Sequence, residues 1–397
     1  MDNEKISGLG LEHVMNTYAR LPFALVKGKE SFVWDADGRE YLDMTSGIAV
    51  NNIGHCHPKV VEAVCGQASI LLHCSNLYWI EPQVRLAKLL TDNSCGEKVF
   101  FCNSGAEANE GAVKLARKWS YNKFGPGRYE IITTYNSFHG RTLGALAATG
   151  QEKYQKGFEP LPAGFTYVPY NDLAALKEAV TSKTCAVLLE PVQGEGGVYA
   201  ASQEYLKGVR ALCDEKDLLL LLDEVQTGLG RTGTLFAYEH YGIEPDVFTL
   251  AKGLGGGVPI GAMIGKGEAA ETFKPGDHAS TFGGNPLAAS AAIAACSVIL
   301  DEKLPQQAEE KGRYIKERFF RMQKKYSIIQ EIRGLGLLVG VELAADAQPL
   351  VEKCLEQGLL LNSVQHKVLR LAPPLNISYE SLDRGMEIIE NALAELW

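Results

Sequence analysis

No stretch of this 397-residue chain approaches the roughly 20 consecutive apolar residues that a helix needs to cross a bilayer. Low-complexity tracts, internal repeats and charge runs of the kind that form tails are also missing. Acids outnumber bases by 48 to 39, and the net charge of -9 argues against a nucleic-acid or anionic-membrane partner, both of which reward a basic face. The opening residues, "MDNEKISGLG", have no basic region leading into an apolar one, so they do not read as a secretory signal. There is no C-x-x-C pair: nine cysteines, an odd number, are scattered along the chain, as expected of reduced thiols in a cytoplasmic protein. Only "GHCHP", with His55, Cys56 and His57, gathers metal-ligand types, with His73 and Cys74 further on. That spacing fits no structural zinc pattern, and a turn beside the proline is the simpler reading, so no metal is expected.

What is present is an ordinary globular balance, 46% apolar and 22% charged, on a chain too long for one typical core. A large and a smaller domain are expected. From about residue 98 short apolar runs alternate with helical stretches: "KVFF" (98–101), "EIITT" (130–134), "FTYVPY" (165–170), "CAVLLE" (185–190), "LLLLLD" (218–223), "DVFTLA" (246–251) and "GAMIG" (261–265). Continuous rather than alternating runs predict strands buried on both faces, hence an α/β fold with a mostly parallel, seven-stranded sheet. In the helix predicted by "GAEANEGAVKLARKW", Ala112, Leu115, Ala116 and Trp119 share one face. After Pro286 an Ala-rich helix, a long charged helix and further short runs predict a smaller α+β domain. The expected division is therefore 1–50, a segment joining the small domain, with a hairpin turning at Asp37-Gly38; 51–285, the large ligand-binding domain; and 286–397, the small domain.

In open α/β sheets ligands bind beyond the carboxyl ends of the strands. Here those ends carry "CNSGAEANE", "NSFHGR", "EPVQGEGG", "DEVQTG" and "KGLGGG", and five polar clusters on one sheet suggest a site. Ser104 and Glu107 have the spacing of a capping box, and Gly105 would let an anion approach the free amides at the positive end of the helix. Both readings hold together. Asp223 leaves a run of five leucines for a place where an unpaired carboxylate is costly. An arginine could partner it; so could a cationic ring nitrogen, with Val225 on the same side packing on the ring and Glu224 on the other. Lys252 ends the next strand. It either snorkels to solvent or, desolvated and with a lowered pKa, forms a Schiff base with a carbonyl. Phosphate, ring nitrogen and aldehyde together describe pyridoxal 5'-phosphate.

The same segment also spells a competing motif. Gly228-Leu-Gly230-Arg-Thr-Gly233 matches the dinucleotide fingerprint G-x-G-x-x-G. That motif begins directly at a strand end and opens a helix, whereas here Asp-Glu-Val-Gln-Thr intervenes and no clear helix start follows. An NAD-dependent dehydrogenase is thus the distant alternative, and a PLP-fold binding protein without catalysis would require the lysine or the acid to be missing.

With these motifs in view, the sequence resembles the class III aminotransferases of the type I PLP-dependent transferase fold. The resemblance runs nearly end to end through "LDMTSGIAVNNIGHCHP", "NSGAEANE", "NSFHGRT", "EPVQGEGG", "DEVQTGLGRTG", "LAKGLGGGVPIGA" and "STFGGNPLA". It implies that Lys252 carries the cofactor and then shuttles a proton, that Asp223 pairs with the ring nitrogen, and that Glu224, Val225 and Gln226 contribute to the cofactor site, Gln226 at the ring hydroxyl. It implies Gly105 and Ala106 at the phosphate, and Phe138, otherwise read as a core aromatic, on the ring face opposite Val225. Thr281, with Ser280 beside it, is expected to reach the site of a neighbouring subunit, which makes a homodimer the active unit. Arg141 is expected to hold the carboxylate of the amino donor, Arg370 that of 2-oxoglutarate or glutamate, and Glu195 to gate Arg370. Within the class, "NSFHGRT", the short N-terminus and "LAPPLNIS" most resemble the branch acting on N2-acetylornithine, with ornithine, succinylornithine and 4-aminobutyrate as alternatives.

Overall fold

The computed structural model describes residues 1–397. The leucine run explains the architecture. Along the strand Leu219–Asp223, Leu220 and Leu222 belong to a core of 64 buried residues on one face, while Leu219 and Leu221 belong to a 15-residue core on the other. A strand of alternating orientation that is apolar throughout can only sit in the middle of a sheet covered on both sides.

All seven runs join one sheet, in the order Lys98–Cys102, Gly261–Gly265, Val247–Leu250, Leu219–Asp223, Thr184–Leu189, Glu130–Thr134, Phe165–Val168. Gly261–Gly265 runs antiparallel to both neighbours, and the other pairings are parallel. The smaller core packs under the helix Gly105–Phe124, whose buried face carries Ala112, Leu115, Ala116 and Trp119. Alanine there lets the helix lie close to the sheet.

Residues 329–371 form a second, antiparallel sheet, ordered Ile329–Leu335, Leu338–Leu343, Val368–Leu371, Asn362–Val364. The helix Leu304–Gln323 packs against it, and Tyr379–Leu396 packs against that helix in turn. The N-terminal strands Leu25–Lys29, Phe32–Asp35 and Glu40–Asp43 form a meander, its second turn made at Gly38 with φ 87°. Glu40–Asp43 then pairs in parallel with Leu359–Leu360, which ties the start of the chain to its last third.

The glycine motif at 228–233 wraps an arginine rather than a ligand. Leu229, Gly230 and Gly233 take φ of 57°, 89° and 103°, and the loop leads into a short 3-10 turn, Ala237–Tyr241. At its centre Arg231 is fully buried. Its Nη1 donates to Leu337 O (3.0 Å) and Pro373 O (2.6 Å), and Nη2 to Asn52 Oδ1 (2.7 Å). No helix in the fold is long and apolar enough to cross a membrane.

Candidate active site

A cavity of about 440 Å³ opens where the carboxyl ends of the central strands meet the helix Gly105–Phe124. Its wall includes Gly105, Ala106, Phe138, Arg141, Glu195, Asp223, Val225, Gln226 and Lys252. Their convergence follows from register. Asp223 and Thr249 lie side by side on adjacent parallel strands, so Lys252, three residues beyond Thr249, comes out beside the acid. The backbone turns at once: Lys252 has φ 43°, a left-handed conformation costly for a residue with a Cβ and typical of functional sites.

At the helix end Ser104 caps through its hydroxyl, which accepts the Glu107 amide at 3.2 Å. The expected reciprocal half of the box is displaced. Glu107 Oε2 accepts the amide of Asn103 at 2.6 Å instead of that of Ser104. The amides of Gly105 and Ala106 have no partner within the chain. A Cβ on Gly105 would come within 2.7 Å of Val225 Cγ1, so glycine is what lets this turn close against the strand-end residue.

Asp223 is held by three donors: Asn109 Nδ2 at 2.7 Å and His139 Nδ1 at 2.8 Å to Oδ2, and the Val225 amide at 3.0 Å to Oδ1. Asn109 is itself fixed, donating to His139 O and accepting the Thr249 hydroxyl at 2.7 Å. Lys252 donates to no group in the chain. Burial lowers its pKa from the usual ammonium value and the Arg370 charge adds to that, against an upward pull from Glu195, Asp223 and Glu190. A half-buried, poorly hydrated amine in this setting releases its proton more readily than a surface lysine.

Arg370 lies behind the wall, almost wholly buried on Val368–Leu371. Its Nη1 meets Glu195 Oε1 at 2.5 Å, and its Nη2 is buried with no partner. Burial would raise the Glu195 carboxyl, but the Arg370 guanidinium and Lys252 outweigh it and hold it below the usual carboxylate range. On the opposite side Arg141 is exposed to the cavity, its guanidinium 4.0 Å from the Tyr154 ring centre and 5.5 Å from that of Phe138.

Besides Arg370, three of the sequence-derived residues stand outside the wall. Glu224 points into the protein, as the alternation of the strand requires: Oε1 accepts the Tyr238 amide at 2.9 Å and Oε2 the Thr227 hydroxyl. The side chain, expected among the cofactor-binding residues, thus faces away from the cavity, and burial of that carboxyl raises its pKa to about 7. Thr281 is exposed and away from this chain's own cavity, while Ser280 Oγ lies 3.3 Å from Asn103 Nδ2 at its margin.

Three others were missed: Asn109, His139 and Glu190 all line the cavity. Asn109 stands one helical turn after Gly105, and His139 follows Phe138, so both lay within motifs already singled out. Glu190, at the end of Thr184–Leu189, accepts the Phe138 amide on Oε2 at 3.0 Å, and burial together with the charge of Asp223 raises its pKa well above the usual value.

This geometry agrees with what comparison finds. Residues 14–393 match the model of the family described as aminotransferase class-III. The chain belongs to that family and is thereby a transaminase. The acetylornithine aminotransferase of Caldanaerobacter subterraneus subsp. tengcongensis is 58% identical over 97% of this chain and 98% of its own length. That of Methanocaldococcus jannaschii is 52% identical over the whole of both chains. Among solved structures, the ornithine aminotransferase of Toxoplasma gondii superposes with a TM-score of 0.96 at 37% identity, over 100% of this chain and 96% of that one. The acetylornithine aminotransferase of Elizabethkingia anophelis gives 0.90 at 37% identity, with both chains fully covered.

Proposed function

We propose that the protein transfers the terminal amino group of N2-acetyl-L-ornithine to 2-oxoglutarate, giving N-acetylglutamate 5-semialdehyde and glutamate, as a pyridoxal-phosphate-dependent step of arginine biosynthesis. The observation that carries this reading is the meeting of Lys252, Asp223 and the unpartnered amides of Gly105 and Ala106 around one cavity. That donor set fits the cofactor. Two free amides at a helix N-terminus suit a phosphate, a carboxylate held by three donors suits a ring N–H, and the buried, unpaired Gln226 Oε1 leaves an acceptor for the ring hydroxyl. When bound, pyridoxal phosphate supplies a carbonyl that captures amines and a ring that accepts electrons from the adjacent carbon.

The remaining work belongs to side chains. Lys252 Nζ, unpaired in the chain and pushed toward its neutral form, takes the proton from the amine-bearing substrate carbon and returns one in the reverse half. Asp223 is kept in place by Asn109 and His139. Val225 and Phe138, both on the cavity wall, would hold the ring between them. Arg141 takes the donor carboxylate. Glu195 covers Arg370 while an amino donor is bound; when it swings away, the fork of Arg370, with its free Nη2, receives the carboxylate of 2-oxoglutarate.

The second copy enters through Thr281 and Ser280. Around them Leu77, Tyr78, Trp79 and Phe282 are 86%, 69%, 91% and 59% exposed, and Asn76 Nδ2 bonds Ser280 O and Gly283 O, joining the two segments into one face. An apolar patch of this kind marks an interface, so a homodimer sharing its two sites is proposed. Mixing Lys252→Ala with Thr281→Ala chains should then restore one intact site per mixed dimer, and a mixture as inactive as its parents would remove the shared site.

The test of the function is the visible spectrum of the purified protein. A yellow band that bleaches fastest with N-acetylornithine, against ornithine and 4-aminobutyrate, is expected. Bleaching with only one of the other two would move the enzyme to a sister specificity, and a protein that stays colourless when supplied with pyridoxal phosphate would overturn the assignment.

A further inference from the structure

The turn that carries Glu195 is fixed by its backbone. It closes the hairpin of Val192–Gln193 with Tyr199–Ala200, and three side chains from the last third of the chain hold its carbonyls. Arg370 Nη1 donates to Gly194 O at 3.3 Å, Gln365 Nε2 to Glu195 O at 2.9 Å, and Arg333 Nε to Gly197 O at 2.9 Å.

Gln365 differs from the other two clamps. Its Nε2 also donates to Gln151 Oε1 at 3.1 Å. Gln151 is buried, 5% exposed, and its own Nε2 donates to Ser137 O at 2.9 Å and to Asn136 O at 3.3 Å. Those carbonyls begin the loop that presents Phe138 and Arg141. Gln151 also precedes the short helix Glu152–Gln155, on which Tyr154 supports the Arg141 guanidinium. One chain of neutral hydrogen bonds thus runs from the carbonyl of the gate residue to the loop bearing the other carboxylate-binding arginine. Gln151 is buried and Gln365 half-buried, so the loss of either amide strands a partner that water reaches poorly.

We propose that Gln151 and Gln365 are a pair of positioning residues that set the Arg141 loop and the Glu195 gate relative to one another, so that the sites for the two substrate carboxylates are adjusted together. This rests on the reading of Arg141 and Glu195 given above. The pair touches neither substrate nor reacting atoms. It acts through the loops it ties, and disturbing either glutamine disturbs both half-reactions.

The experiment uses holoenzyme and follows the cofactor absorbance through each half-reaction separately, with N-acetylornithine and with 2-oxoglutarate. Gln151→Met and Gln365→Met keep side-chain volume and remove the amide. Each is expected to lower kcat/KM about tenfold in both half-reactions, mainly through KM, with the resting absorbance band unchanged. The double variant should be no worse than the poorer single one. The proposal is overturned if Gln151→Met affects only the N-acetylornithine half and Gln365→Met only the 2-oxoglutarate half, or if the two effects multiply. Should a Met variant lose its thermal transition, Gln151→Glu or Gln365→Glu takes its place, retaining the shape while removing the Nε2 donor. Arg141→Met and Glu195→Gln serve as references: if neither changes either half-reaction, the reading of those two residues fails and not the link between them.

Discussion

The two ends of the central sheet are both polar, and they differ in how their charges are spent. At the end opposite the candidate active site lies a cleft of about 610 Å³, larger than the 440 Å³ cavity. It is lined by Lys123, Arg210 and Lys266 together with five acids. Every one of those cations is paired: Lys123 with Asp217 and Glu268 at 3.2 and 3.0 Å, Arg210 with Asp246 and Asp214 at 2.8 and 2.7 Å, and Lys266 with Glu244. At the other end Lys252 has no hydrogen bond, Arg370 keeps an idle Nη2, Gln226 an idle Oε1, and two helix amides are free. Size and polarity therefore do not mark the site. Nor does a single idle atom, since Arg210 Nε in the far cleft also lacks a partner; several unsatisfied groups gathered around one cavity do, because together they are costly unless something binds them.

That contrast can be broken in four ways, the strongest first. Lys252→Ala should reduce turnover by at least about a thousandfold in a steady-state assay; near-normal turnover would end the argument from unsatisfied groups. Second comes Glu224, buried at the active end but turned away from the cavity. Its folded-state pKa of about 7 lies above the ordinary 4.5, so the folded protein binds a proton that the unfolded chain has already lost. The resulting penalty is absent below the unfolded value, grows as the pH rises toward 7 and stays constant above it, reaching on the order of 3 kcal/mol. The melting temperature of the parent protein should thus fall from pH 5 to pH 8 relative to that of Glu224→Gln; parallel profiles would refute it.

Third, Glu195→Gln should shift the ratio of kcat/KM for the two half-reactions by about tenfold, because Arg370 is then no longer neutralised when the amino donor binds. Equal kinetics in both halves would remove the gate. Last, Lys266→Ala at the opposite end should alter unfolding free energy in urea by under about 1 kcal/mol, less still at high salt, with turnover unchanged. A large loss of activity there would mean that the paired cleft has a use of its own.

The sequence carried the frame of this comparison because apolar runs and strand ends are local features. Seven continuous runs predicted seven strands, and their C-terminal residues placed Asp223 and Lys252 side by side before any register was known. What it could not carry was contact across elements. Asn109 and His139 converge on Asp223 from a helix and a loop far apart in the chain, and only the packing of Gly105–Phe124 brings them together. Glu224 shows the limit from the other direction: adjacent to Asp223 in the motif, it is sent to the opposite side by the alternation of the strand. The displaced cap at Glu107 had no sequence signal either, since the amides of Asn103 and Ser104 are a single residue apart.

The arginine enclosed by the glycine loop has a consequence for how the chain assembles. Arg231 draws its acceptors from Asn52, Leu337 and Pro373, points spread over most of the chain length. None of them is a carboxylate, so no local salt bridge can stand in while the others are awaited. A nascent chain that has emerged only as far as the central sheet holds a guanidinium for which Asn52 is present but Leu337 and Pro373 have not yet been synthesised. The burial of this residue is therefore a late event that requires both ends of the polypeptide, and it joins them into one cooperative unit: a fragment truncated before residue 337 should leave this loop open to proteolysis even where the sheet itself has formed.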